Sequence, residues 1–127
     1  MTNATKLKPA PTKKVLVVED EGVVGLILDM VLAERKFQTD YVSTILDANE
    51  YLEKQQPAVI ILDNKLPDGF GVDFICYLKQ KYPAIKIIMI SGFATVRDVA
   101  LENGADLFLE KPFSLDEFNK GIESLLA

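Results

Sequence analysis

Apolar residues along the chain follow two alternating patterns. Short apolar runs rich in Val and Ile occupy 15–18, 58–62, 85–90 and 107–109, with a weaker one at 37–42. They lack regular polar alternation, so they predict strands buried on both faces, as in a parallel sheet. Between them the spacing changes to that of helices: Val23, Val24, Ile27, Met30 and Val31 recur on one stripe, as do Leu115, Phe118, Ile122 and Leu125. Ser114 followed by Glu117 predicts a capping box that opens the last helix, and Asn103-Gly104 suits the end of the fourth. Met30 and Met89 read as core filler, and Cys76 as a small helix residue. Five strands and five helices in strict alternation imply crossover connections and a three-layer α/β sandwich.

Parallel strands point one way, so their C-terminal ends share one edge of the sheet, where open α/β folds bind ligands. Glu19 and Asp20 follow the first run, Asp63 the third, Ser91 the fourth, and Lys111 stands just past the fifth. A single carboxylate after a strand also serves as a helix cap. Three gathered together repel one another unless a cation neutralises them or one takes up a proton. Oxygen ligands without nitrogen or sulfur select magnesium, or manganese as a similar hard ion. With Lys111 and Ser91 added, the inventory suits phosphoryl chemistry: a carboxylate attacks phosphorus while an ammonium and a hydroxyl meet the phosphoryl oxygens.

Composition narrows the alternatives. The 127 residues make one domain, with 49% hydrophobic and 26% charged residues. Histidine is absent and there is one cysteine, which removes Ser/His/Asp and Cys/His mechanisms, Cys/His zinc sites and an internal disulfide. No Walker-type loop is present, and Gly69-Phe70-Gly71 lacks the third glycine of a dinucleotide fingerprint, so the phosphoryl group must come from elsewhere. Residues 1–13 read as a flexible leader with Lys6, Lys8 and Lys13, and 14–127 as the folded domain. Beyond residue 14 the chain carries 10 basic against 19 acidic residues, a net of −9, which disfavours binding of nucleic acid. Without a signal pattern or a long apolar stretch, the expected location is the cytoplasm, with no membrane contact.

Four motifs carry a family resemblance: Val17-Val18-Glu19-Asp20-Glu21; Ile61-Leu62-Asp63 with Leu66-Pro67-Asp68-Gly69; Ile90-Ser91-Gly92; and Lys111-Pro112-Phe113. Together they resemble the receiver domain of two-component response regulators. The resemblance implies a CheY-like, flavodoxin-like sheet of order 2-1-3-4-5. It implies that Asp63 is the phosphoacceptor, that Asp63, Asp20 and the main-chain carbonyl of Lys65 ligate magnesium with help from Glu19, and that Lys111 bridges to the phosphoryl group. The Lys111–Pro112 peptide would be cis, and Ser91 and Phe108 would act as a switch pair. The output face would be 95–103, 106–110 and 114–126.

Partners implied by the family are a histidine kinase or a histidine phosphotransfer protein, and a downstream protein target. The chain would be a monomer or a phosphorylation-dependent dimer, and a single-domain signalling protein rather than an enzyme. Glu19 replaces the commoner aspartate, Phe108 lacks the hydroxyl of tyrosine, and Asn64 and Lys65 are unusual after the acceptor. Lys65 and Phe93 are expected to restrict the attacking water. Two other readings stand beside this one: a receiver-like adaptor that needs no phosphorylation, and an aspartyl-phosphate phosphatase. The second usually needs another carboxylate where this chain has Lys65.

Overall fold

In the computed structural model, which describes residues 13–126, five parallel strands form one sheet. They are β1 (Lys14–Val18), β2 (Gln38–Val42), β3 (Val59–Asp63), β4 (Lys86–Ser91) and β5 (Leu107–Glu110), in spatial order β2-β1-β3-β4-β5. The predicted order of 2-1-3-4-5 therefore holds. The helices are α1 (Val23–Glu34), α2 (Ile45–Lys54), α3 (Gly71–Lys81), α4 (Arg97–Asn103, led by a 3-10 turn at Ala94–Val96) and α5 (Leu115–Leu126). The leader expected over 1–13 falls, apart from Lys13, outside the described residues.

The two faces of the sheet divide the core between them. Leu16, Val18, Ile60, Leu62, Ile87 and Met89 point to a layer built by α2, α3 and α4, through Ala48, Leu52, Phe74, Ile75, Leu78 and Ala100. Val15, Val17, Ile61, Ile88 and Ile90 point the other way, to Val31 and Leu32 of α1 and Phe118 and Ile122 of α5. This is the two-residue period of a strand with both faces covered. Each fully buried Val, Leu or Ile contributes roughly 1.5 to 3 kcal/mol, so β3 is anchored along its apolar length between the two layers. β2 lies at an edge and is only half-buried, which explains its weaker apolar signal.

Helix ends follow the residues that cap them. The Ser114 Oγ accepts from the Glu117 amide at 3.0 Å, and Glu117 Oε1 accepts from the Ser114 amide at 3.2 Å. Gly104 ends α4 with φ +115°, a left-handed conformation that costs glycine little. Met30 departs from its expected place in the core, being 63% exposed, while Met89 is fully buried. Val31, the next residue along α1, takes the inward position, and a step of about 100° on a helix turns Met30 to solvent.

Register aligns the strand ends. Val18 stands beside Leu62, Asp63 beside Ile90, and Ser91 beside Glu110. The residues that leave β1, β3, β4 and β5 therefore emerge at one rim.

Candidate functional site

Asp63 is the last residue of β3 and is only 3% exposed. Its Oδ1 accepts from the Asn64 amide at 2.8 Å, and its Oδ2 from Lys111 Nζ at 3.0 Å. Lys111 is held in register by its own amide, which donates to the Ser91 carbonyl at 2.8 Å, and the Lys111–Pro112 peptide is cis. The ion pair compensates a carboxylate that burial alone would disfavour. Ser91 is 2% exposed, and its Oγ accepts from the Phe93 amide at 3.1 Å, leaving the hydroxyl proton free to donate.

At the end of β1 the three acids part company. Glu19 is buried, and its Oε2 accepts from the amides of Glu21 and Gly22 at 2.8 Å each. Gly22, at φ +82°, precedes α1 without a cap of its own, so Glu19 satisfies backbone donors at the start of that helix. Asp20 and Glu21 are exposed, and each offers a carboxylate oxygen that lies with one of Asp63 in a group within 4.8 Å of one another. The structure thus brings Asp20 and Asp63 together as a possible cation site, and supplies Glu21 as the third acid where the sequence pointed to Glu19. Glu21 stands in the same acidic run, but only the turn geometry reveals that it faces the site.

A hollow of about 220 Å3 is lined by Glu21, Asp63, Lys65, Ser91, Gly92, Phe93 and Lys111. In its wall the Lys65 ammonium lies 5.1 Å from the centre of the Phe93 ring, a cation–π contact between two exposed side chains. Beside it a hollow of about 360 Å3 runs from Asp20 and Glu21 to Tyr41, whose hydroxyl donates to the Asp29 carboxylate and lies 3.2 Å from the Gly25 carbonyl. Burial, the bond to Asp29 and the charges of Asp29 and Glu19 push the Tyr41 phenol well above its ordinary value. Phe108, on β5, is half-buried against the layer containing Met89, its register partner.

The loop after Asp63 is a small hairpin, Lys65–Leu66 against Gly69–Phe70. Both Asp68 oxygens accept from α2, from the amides of Ile45 at 2.9 Å and Leu46 at 3.0 Å. Those backbone donors hold the Asp68 carboxyl below its usual range. Asn64 and Asp68, which carried no role at the level of sequence, thus tie this loop to two helices.

The response regulator receiver domain profile matches residues 15–123. This chain belongs to the response regulator receiver domain family. Among its relatives, the phosphate regulon transcriptional regulatory protein PhoB of Escherichia coli K12 is 34% identical over 122 residues, covering 90% of this chain and 52% of PhoB. The beryllofluoride-activated NtrC4 receiver domain dimer superposes with a TM-score of 0.82 at 36% identity, covering 89% of this chain and 95% of that one. TrrA from Thermotoga maritima, solved in complex with magnesium and BeF, superposes at 0.81 with 26% identity, covering 91% of this chain and 100% of that one. The receiver domain spans about half the length, or less, of the curated relatives it matches. Receiver domains are signalling modules of two-component systems, and the TrrA neighbour was solved with magnesium bound. Asp20, Glu21 and Asp63 form an acidic cluster here. No helix among the described residues is long and apolar enough to cross a membrane.

Proposed function

We propose that this receiver domain, residues 14–127, accepts a phosphoryl group on Asp63 from a histidine kinase or a histidine phosphotransfer protein, and passes the signal by changing a protein-binding face. The observation that carries this reading is a nearly buried Asp63 carboxylate paired with Lys111 and open to the hollow that Ser91 also lines. In the transfer, an Asp63 oxygen forms a new O–P bond while the N–P bond of the donor's phosphohistidine breaks. The donor imidazole leaves with the electron pair. Lys111 then turns its ammonium from the carboxylate to the phosphoryl oxygens, and Ser91 donates its hydroxyl proton to one of them.

The donor set suits a hard divalent ion, magnesium or manganese, because every side-chain ligand is a carboxylate oxygen. Asp20, Asp63 and Glu21 would hold it, with the Lys65 carbonyl and Glu19 as the further candidates. When bound, the ion neutralises the gathered carboxylates and draws negative charge from the phosphoryl oxygens. Glu19 meanwhile keeps the turn before α1 closed through its two backbone bonds.

Ser91 and Phe108 are the proposed switch. A serine drawn toward the phosphoryl group frees space beside β4, and the Phe108 ring gains burial by turning into it. Only a difference in stability between the two ring positions is needed to shift the population. The face so altered comprises α4, β5 and α5, and its occupant is a downstream protein.

The reading is tested by incubating the protein with acetyl phosphate and magnesium and measuring its intact mass. The expected result is a labile phosphoryl adduct on the wild type and none on Asp63→Asn. An unchanged wild-type mass would favour an adaptor that works without phosphorylation.

A further inference from the structure

We propose that Asn64 is a positioning residue for phosphoryl acceptance, an inference that rests on Asp63 being the acceptor. A polar side chain at the buried end of β3, directly after Asp63, is costly to bury unless its groups are met. Asn64 is only 6% exposed, and its groups converge on one task. Its amide donates to Asp63 Oδ1 at 2.8 Å and also lies 3.2 Å from the Ile90 carbonyl. Its own carbonyl accepts from the Gly71 amide at 2.7 Å, and its side-chain Oδ1 from the Val72 amide at 3.0 Å.

Gly71 and Val72 are the first residues of α3, and the preceding Phe70 makes no side-chain cap bond. Asn64 therefore caps that helix from outside, meeting two of its free amides. The helix is in turn braced: the Val72 carbonyl accepts from Asn103 Nδ2, at the end of α4, at 3.0 Å. It is also pressed close to the acceptor, since a Cβ on Gly71 would lie 2.2 Å from the Asp63 carbonyl oxygen.

The consequence concerns the carboxylate. The Asn64 amide orients one Asp63 oxygen, so the plane of the Asp63–Asn64 peptide sets how the carboxylate meets an incoming phosphorus. That plane is fixed on one side by β4 and on the other by α3 through the Asn64 carbonyl and side chain. Without the side-chain oxygen, the Val72 amide loses its partner and the peptide gains freedom to tilt. Small errors in aim are costly in a displacement that needs attacking and leaving atoms in line.

The test compares Asn64→Leu, similar in size but without an acceptor, with Asn64→Ser, which keeps a capping oxygen. Phosphorylation rates are measured over a range of acetyl phosphate concentrations with magnesium, normalised to folded protein by circular dichroism. Asn64→Leu is expected to lower the maximal rate by about tenfold or more while the half-saturating donor concentration stays put, and Asn64→Ser to recover most of the loss. A lower melting temperature at an unchanged maximal rate would reduce Asn64 to a helix cap and overturn the proposal. So would Asn64→Ser reacting as slowly as Asn64→Leu. If Asn64→Leu does not fold, Asn103→Leu takes its place: a reduced maximal rate supports the proposal, and a wild-type rate overturns it. Failure of the wild type to take up the group at all would instead strike at Asp63 as acceptor, and this inference with it.

Discussion

The two ends of the sheet make opposite use of charge. At the N-terminal end a hollow of about 580 Å3 is lined by Lys13, Lys14, Gln55, Gln56, Pro57, Ala58 and Ala84. At the C-terminal end the hollow around Asp63 is less than half that size. The larger one holds no buried charge: Lys14 spends its ammonium on Gln55 and on Asp40 at 4.0 Å, both in contact with solvent. The smaller one encloses a carboxylate held by an amide and an ammonium. Volume is therefore a poor guide to chemistry in this molecule. What distinguishes the ends is that a charge has been desolvated at one and merely solvated at the other.

Five substitutions sharpen that contrast. The largest effect is expected from Gly71→Ala. Its new methyl meets the Asp63 backbone and the Leu62 side chain, so α3 or the acceptor loop must move. Overpacking of this kind costs about 1 to 3 kcal/mol, readable as a lower midpoint in urea, and phosphorylation slows with it. Lys14→Ala, at the other end, is expected to leave the phosphorylation rate as it was.

A smaller effect, of a few-fold, is expected at the mouth of the site. Lys65→Ala and Phe93→Ala each remove half of the cation–π contact in the wall of the hollow, so water is expected to reach the phosphorylated Asp63 more readily. Release of phosphate from the phosphorylated protein measures this directly. Loss at wild-type rates in both variants would show that the contact is only a surface decoration.

The smallest effect concerns Asp68. Its folded pKa lies below the ordinary 3.8, so its contribution is fully present above that value and disappears as pH falls through the lower folded one. The protection factors of the Ile45 and Leu46 amides, exchange measured against the intrinsic rate at each pH, should fall in that acidic window, and in Asp68→Ala they should be low at neutral pH as well. Because Asp68 is exposed, overall stability should move little.

Much of this could be read along the chain. The Val/Ile runs declared strands covered on both faces, and their alternation with helical stripes left a doubly wound sheet as the answer. Glu19, Asp20, Asp63, Ser91 and Lys111 were all placed at one rim by strand direction alone. Met30 was misplaced because its apolar character says nothing about which side of α1 it takes. Glu21 and Asn64 went unassigned for a different reason: their roles depend on where a turn points a side chain, and a turn has no period to read.

Sequence by itself determined the layers, the order of elements and the rim at which the reactive residues gather, because burial periodicity and strand direction are local and repetitive. Tertiary structure decided the rest: that Glu19 turns to backbone amides while Glu21 faces the carboxylates, and that Asn64 couples Asp63 to α3. Those outcomes depend on hydrogen bonds between segments far apart in the chain, whose donors and acceptors meet only after the sheet has closed around its core.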